Sequence, residues 1–405
     1  MAKVFPFQSL RPAAHLAQQV AAVPYDVVDR DEARALAAGN PNSFLHVTKP
    51  EIDLPNDQDP YADAVYAAGA EALSRLQRDG VLVREAKPCF YLYALSTAAH
   101  TQTGFVFLGS IDDYDRNIVR KHEQTRPDVE TDRVRNMEAL GAQSGTVFLC
   151  HRDSAALKTT AEKATQEPPV QDFTTADGIR HRVWVLAEDA TIAAITAAFE
   201  ALGPIYIADG HHRTAAASRA AANYRQRGTA SEANQRFLAV SFPVSETQVL
   251  PFHRVIKDLN GLTSQAFLQR LEEACDVSKG KPQSAAETFG MYLDGAWYGL
   301  KARPGSFDPS DLVGRMDVNI LHHNVLSPIL GVGNPRHDKR IAIVGGVDAE
   351  QRLIRRVDGG DAVGFTLHPV GLADLLAIAD AEQFTPPKST CFEPKLRDGL
   401  FVHQF

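Results

Sequence analysis

The segment Ile205-Tyr206-Ile207-Ala208-Asp209-Gly210-His211-His212-Arg213-Thr214 gathers several residue types that could act on a phosphate. An apolar strand runs into a glycine turn and then an alanine-rich helix, expected over 211–227. The first turn of a helix has N–H groups without intrahelical partners and carries the positive end of the dipole, so it attracts anions. Gly210 removes a side chain where a phosphate would approach, and Arg213 offers a planar fork for its oxygens. His211 and His212 can donate hydrogen bonds or move protons. Asp209, at the strand end, is placed to hold a metal or orient a hydroxyl. The plainer alternative is that Asp209 caps the helix and the histidines face water. Two histidines and an arginine directly after a glycine turn favour the chemical reading.

A second cluster is Val119-Arg120-Lys121-His122-Glu123-Gln124-Thr125-Arg126. His122 and Glu123 could supply a base or a magnesium ligand, and Arg120, Lys121 and Arg126 would suit a phosphate. The alternative is a solvated mixed-charge helix, since Glu130, Asp132, Arg133 and Arg135 continue the pattern. A third is Pro387-Lys388-Ser389-Thr390-Cys391. Its Lys-Ser-Thr triplet lacks the glycine-rich run of a Walker A loop, yet Lys388, Ser389 and Thr390 could line an anion pocket. The alternative is a proline-braced terminal loop. Pro24-Tyr25-Asp26 and Pro251-Phe252-His253-Arg254 join charge to a fixed backbone, and each alone is more often structural. His322-His323 is a poor chelate, because adjacent helical positions point apart.

The elements that must position these residues can be read from periodicity and breakers. Helices are expected at 29–38, 61–78, 191–202 and 263–275. Strands are expected at 89–93 and 104–109 as a hairpin, then at 146–150, 180–186, 205–208, 237–242, 296–301 and 341–344. Irregular alternation of strands and helices indicates an α/β to α+β chain. The division expected is 1–258 and 259–405, the later part mixed α+β and returning its Lys388 segment to the site.

Composition bounds the function. The 405 residues carry 50 acidic and 42 basic side chains, a net charge of -8. Nucleic-acid binding usually needs a basic excess, so none is expected as the main role. Hydrophobic residues make up 44%, which excludes wholesale disorder. No apolar run reaches the ~20 residues that cross a bilayer. Cys89, Cys150, Cys275 and Cys391 lie far apart, without a Cys-x-x-Cys pair. A disulfide framework is not expected, and the expected location is the cytoplasm.

Several segments occur together in an order that resembles one family. They are Pro6-Phe7, Leu10-Arg11-Pro12, Pro24-Tyr25-Asp26-Val27, Asn40-Pro41-Asn42-Ser43-Phe44, His122-Glu123-Gln124-Thr125, Asp209-Gly210-His211-His212-Arg213, His253-Arg254-Val255, Pro387-Lys388-Ser389-Thr390 and Pro394-Lys395. The whole resembles the bacterial and archaeal domain of unknown function 1015. The Asp-Gly-His-His-Arg turn is similar to the nucleotide-phosphate signature of the ParB/sulfiredoxin-like superfamily, with the free serine kinases closest at the turn. The sulfiredoxin cysteine is not matched, since position 211 is histidine.

The resemblance implies a ParB/sulfiredoxin-like core that binds ATP or ADP with magnesium and transfers phosphate to a hydroxyl of a small metabolite such as serine. Gly210, His211, His212, Arg213, Thr214, Arg126, Lys388, Ser389 and Thr390 would hold phosphate or substrate. Glu123, beside His122, would be the base, with Asp26 in reserve, and Glu123 and Asp209 would be the metal ligands. The alternatives are a nucleotide-binding switch with little turnover, or a phosphatase using the same anion site. The acceptor and the nucleotide are the expected partners, and a homodimer is left open.

Overall fold

Val147–His151 and Ile205–Asp209 are almost unbroken apolar runs, the pattern of strands covered on both faces. In the computed structural model, which describes residues 1–335 and 337–405, both lie inside a nine-stranded mixed sheet. Its strands are β1 (Val4–Phe5), β2 (Phe90–Ser96), β3 (Thr101–Ser110), β4 (Val119–Arg120), β5 (Val147–His151), β6 (Gln171–Thr174), β7 (Arg180–Leu186), β8 (Ile205–Asp209) and β9 (Arg236–Pro243). The order is β4-β8-β5-β9-β3-β2-β7-β6, with β1 on β3. The expected hairpin is the antiparallel pair β2–β3, in which Tyr91 faces Val106.

The chain forms two compact units. The first comprises Met1–Lys121, Thr125–Thr247 and Pro394–Phe405; the second comprises His122–Gln124 and Gln248–Glu393. The last segment joins the first unit because His403 pairs with Gln143 and Val402 bridges to Leu10. A core of Phe107, Leu149, Phe199, Ile207 and Phe237 fills the first unit around the sheet. The Phe199 ring meets Phe107 edge-on at 5.0 Å.

Helix α1 (Asp63–Arg78) packs on α2 (Pro127–Leu140), and α2 and α3 (His211–Gln226) border the site. Alanine is the best helix former. Ala215, Ala216, Ala217, Ala220 and Ala221 are all buried on α3. Their small side chains let α3 lie close to its neighbours, α2 among them. The mixed-charge helix of the alternative reading begins only at Pro127. Proline at the first helical position has no N–H to waste, and it forces Arg126 into an extended conformation (φ -106°, ψ 127°). Residues before it therefore form strand β4 and a loop.

The second unit is built on a six-stranded antiparallel sheet. Its strands run in the order Cys275–Lys279, Ala296–Ala302, Thr288–Leu293, Val363–Thr366, His253–Ile256 and Ile341–Val344. Ile256, Phe267, Leu271, Met291, Leu300 and Phe365 make its core. The fold as a whole is mixed α/β.

Candidate functional site

The strand-to-helix turn is shaped by two backbone irregularities. The pairing of β8 with β5 shifts register between Ile207 and Asp209. Such a bulge re-aims the side chain that follows it. Gly210 then takes a left-handed conformation, φ 100° and ψ 26°, and α3 starts without a side-chain cap. Only glycine enters that region without cost. Asp209 does not cap the helix. Its Oδ2 accepts a hydrogen bond from Lys395 Nζ at 2.8 Å. Burial pulls the Asp209 pKa upward, but Lys395, Arg213 and His211 together outweigh it and hold the carboxyl well below its ordinary range.

His211 is buried, whereas His212 is partly exposed and its Nε2 accepts from the Arg126 backbone N–H at 3.0 Å. That bond fixes the ring orientation and leaves Nε2 as the acceptor. The Arg126 side chain is exposed and pairs with Asp128. Thr214 Oγ1 donates to the Gly210 carbonyl at 3.1 Å, which braces the turn.

Arg213 points into the protein. It is buried and donates through Nη1 to the Thr146 carbonyl at 2.9 Å. Its other nitrogen lies 3.6 Å from Asp26 Oδ1. Gly145 makes the approach feasible, since a Cβ there would sit 3.1 Å from Arg213 Nε and 3.4 Å from Asp398 Oδ1. Burial would lower the Arg213 pKa, but Asp398, Asp26, Tyr25 and Asp209 raise it above its usual value. The Tyr25 ring takes Arg133 on it at 3.9 Å and Arg213 at 5.5 Å. Burial pushes the Tyr25 phenol up to about 12, with Asp26 adding to the rise and Arg133 and Arg213 opposing it.

Asp398 is the unexpected member of this cluster. It is 1% exposed, and neither carboxylate oxygen has a hydrogen-bond partner among the described residues. Burial pushes its pKa up to about 6, Asp26 reinforces the rise, and Arg213, Arg133 and Arg397 oppose it. A cavity of about 20 Å³ opens beside it, lined by Tyr25, Asn136, Ser144, Gly145, Arg133 and Arg213 among others. A broader, shallow hollow of about 430 Å³ is lined by the Glu232–Arg236 ion pair with Ser110, Ser231, Gln235 and Phe5 among others.

His122, Glu123, Lys388, Ser389 and Thr390 belong to the second unit. The His122 carbonyl accepts from Thr385 N at 2.8 Å and Thr385 Oγ1 at 3.0 Å. Arg254 Nη2 donates to the Lys388 carbonyl at 3.0 Å. Ser389 Oγ donates to the Pro386 carbonyl at 2.7 Å. Lys388 has φ 53°, so the terminal loop is an ordered, hydrogen-bonded bend.

The residues present do not make a ready cage for magnesium. Among the described residues, no group of three or more His, Cys, Asp or Glu could hold a metal. Asp209 already faces an ammonium. Magnesium is often held by only one or two carboxylates together with substrate phosphates.

Tyr25, Lys395 and Asp398 are site members that no motif or spacing in the sequence marks out. The one local signal was a charged residue beside a proline or glycine: Pro24-Tyr25-Asp26, Pro394-Lys395 and Asp398-Gly399.

The model of a family described as "Protein of unknown function (DUF1015)" matches residues 4–319. No curated protein matches the chain. Among solved structures, a conserved hypothetical protein from Pyrococcus furiosus is 12% identical, with a TM-score of 0.35 over 74% of this chain and 95% of that one. A free serine kinase in complex with AMP is 13% identical, with a TM-score of 0.34 over 73% and 91%. SbnI from Staphylococcus aureus, C-terminally truncated, is 9% identical, with a TM-score of 0.37 over 72% and 85%.

Proposed function

The chain belongs to the DUF1015 family, and for it we propose a nucleotide-dependent phosphotransferase that acts on a hydroxyl of a small metabolite such as serine. One observation carries the reading: the uncapped, glycine-initiated N-terminus of α3, with Asp209 held ionised by Lys395 and with His211, His212 and Arg213 in its first turn. The N–H groups and dipole of that first turn suit the β- and γ-phosphates of a nucleotide. Phosphoryl transfer asks a protein chiefly for positioning and charge stabilisation. A ParB/sulfiredoxin-like core around β8 and α3 is part of the same proposal, as is magnesium carried on the nucleotide phosphates.

Glu123 is proposed as the general base, with His122 beside it and Asp26 in reserve. Lys388, Ser389 and Thr390 are proposed as further anion contacts. The test is a thermal-shift and titration series with ATP, ADP and AMP, with and without magnesium. Ligand binding to the native state raises stability by RT ln(1 + [L]/Kd). The expected result is a magnesium-dependent shift that Arg213→Ala weakens by about tenfold to over a hundredfold, the loss of one charge-assisted contact. Unchanged affinity in that variant would remove Arg213 from the phosphate site. Binding without turnover on any acceptor would favour the switch.

A further inference from the structure

The charges around Asp398 do not cancel. Arg133 is paired with Asp132 at 2.5 Å, Arg213 faces Asp26 at 3.6 Å, and Arg397 is bound to Asp177. Three guanidiniums therefore have three carboxylates of their own, and Asp398 is a fourth carboxylate without a hydrogen bond. An ionised carboxylate buried in this way is costly until a proton or a cation joins it.

The adjoining space is small and polar. A site needs about 10–15 Å³ of room to hold a water-sized group, and this cavity has about 20 Å³. An ammonium group is of that size and carries three donors. Asp398 presents two bare acceptor oxygens, and Tyr25, Asn136 and Ser144 bring a phenol, an amide and a hydroxyl to the same lining. The Thr146 hydroxyl nearby is also buried without a hydrogen-bond partner among the described residues. A water could enter, but it would leave the surplus charge in place.

We propose that the Asp398 cavity of the first unit receives the primary ammonium group of a small acceptor, so that the substrate class is an amino alcohol or hydroxy amino acid rather than a simple alcohol or hydroxy acid. This rests on the phosphotransferase reading for its purpose, and on the cavity and the bare carboxylate for its chemistry. Asp398 sets specificity here and takes no part in the bond changes. The groups facing it are Arg213, Arg133, Arg397, Asp26 and Tyr93, and Tyr25 lines the same cavity. Burial pushes the Asp398 carboxyl up to about 6, so amine affinity falls as pH drops below that value.

The experiment titrates the full chain with L-serine, ethanolamine and D-glycerate by calorimetry between pH 5 and 8, alongside Asp398→Asn and Gly145→Ala. Serine and ethanolamine bind and glycerate does not. Asp398→Asn weakens amine binding by roughly tenfold to a hundredfold, the loss of a charge-assisted contact. Gly145→Ala, which narrows the cavity beside an intact carboxylate, also weakens it. Far-ultraviolet circular dichroism of each variant keeps misfolding apart from loss of the site. Glycerate binding as well as serine, full amine affinity in Asp398→Asn, or affinity indifferent to pH would overturn the proposal in favour of a structural water. Asp398-dependent amine binding without any phosphate transfer from a nucleotide would uphold the pocket and defeat the phosphotransferase reading.

Discussion

Replacing Asp398 by asparagine should make the unliganded protein more stable at neutral pH. Burial raises this carboxyl from its ordinary value of 3.8 to about 6. Between those values the folded protein binds a proton that the unfolded chain has lost, so stability falls as pH rises through that window. Above pH 6 the whole penalty is present. Two pH units at 1.36 kcal/mol each give about 3 kcal/mol. Asparagine avoids the penalty but adds two N–H donors in a site rich in guanidinium, which costs about 1 kcal/mol if they go unpaired. The expected gain at pH 7.5 is therefore about 1–3 kcal/mol, shrinking toward zero or below by pH 4. Hydrogen exchange of β5 and β8 amides in graded urea reads the first unit separately from the second. A difference between wild type and variant that stays constant from pH 4 to 7.5, or a loss of stability at pH 7.5, would show that Asp398 is not an uncompensated buried charge.

Gly210→Ala should destabilise the first unit by about 1–3 kcal/mol, because a non-glycine residue is strained at φ 100°. Its Cβ would meet Val147 only at ordinary contact, 3.4 Å or more, so repacking cannot explain a loss. Urea unfolding checks it. Lys395→Met should flatten the acid limb of the stability profile. A depressed carboxylate contributes stability above its unfolded pKa and loses it as pH falls, and the variant has less of that stability to lose; an unaltered acid limb counts against the Asp209–Lys395 pair. Glu123→Gln should keep nucleotide binding yet lose turnover by roughly 10²–10⁴, the range for a general base. Near-normal turnover would pass the role to Asp26.

The local parts of this fold were legible because each is encoded within a few residues. The helix after Gly210 and the short strand Ile341–Val344 fall within a residue of their expected places, and the hairpin strands within three. Pro127 was readable in principle as a helix start, but the charge pattern on both sides of it masked the break. The helix Ala155–Ala164 and strand Gln171–Thr174 were missed, since each is short and mostly exposed and shows little apolar periodicity. In the site, the Asp-Gly-His-His-Arg turn was visible because its residues adjoin in sequence. Tyr25, Gly145, Arg213 and Asp398 meet only through sheet register and a returning C-terminal segment, which no local spacing encodes.

That returning segment also sets an order of events. The Asp209 partner Lys395 and the buried Asp398 lie on Pro394–Phe405, which is translated after the whole of residues 248–393. While a ribosome makes the second unit, the first has its sheet strands but neither of these two side chains. Closing so long a loop adds little free energy, since the entropy cost grows only logarithmically with length. The delay is therefore one of timing. Until residues 394–405 are made, the nascent first unit lacks its acid–base pair, and completing the site waits on synthesis of the whole of residues 248–393.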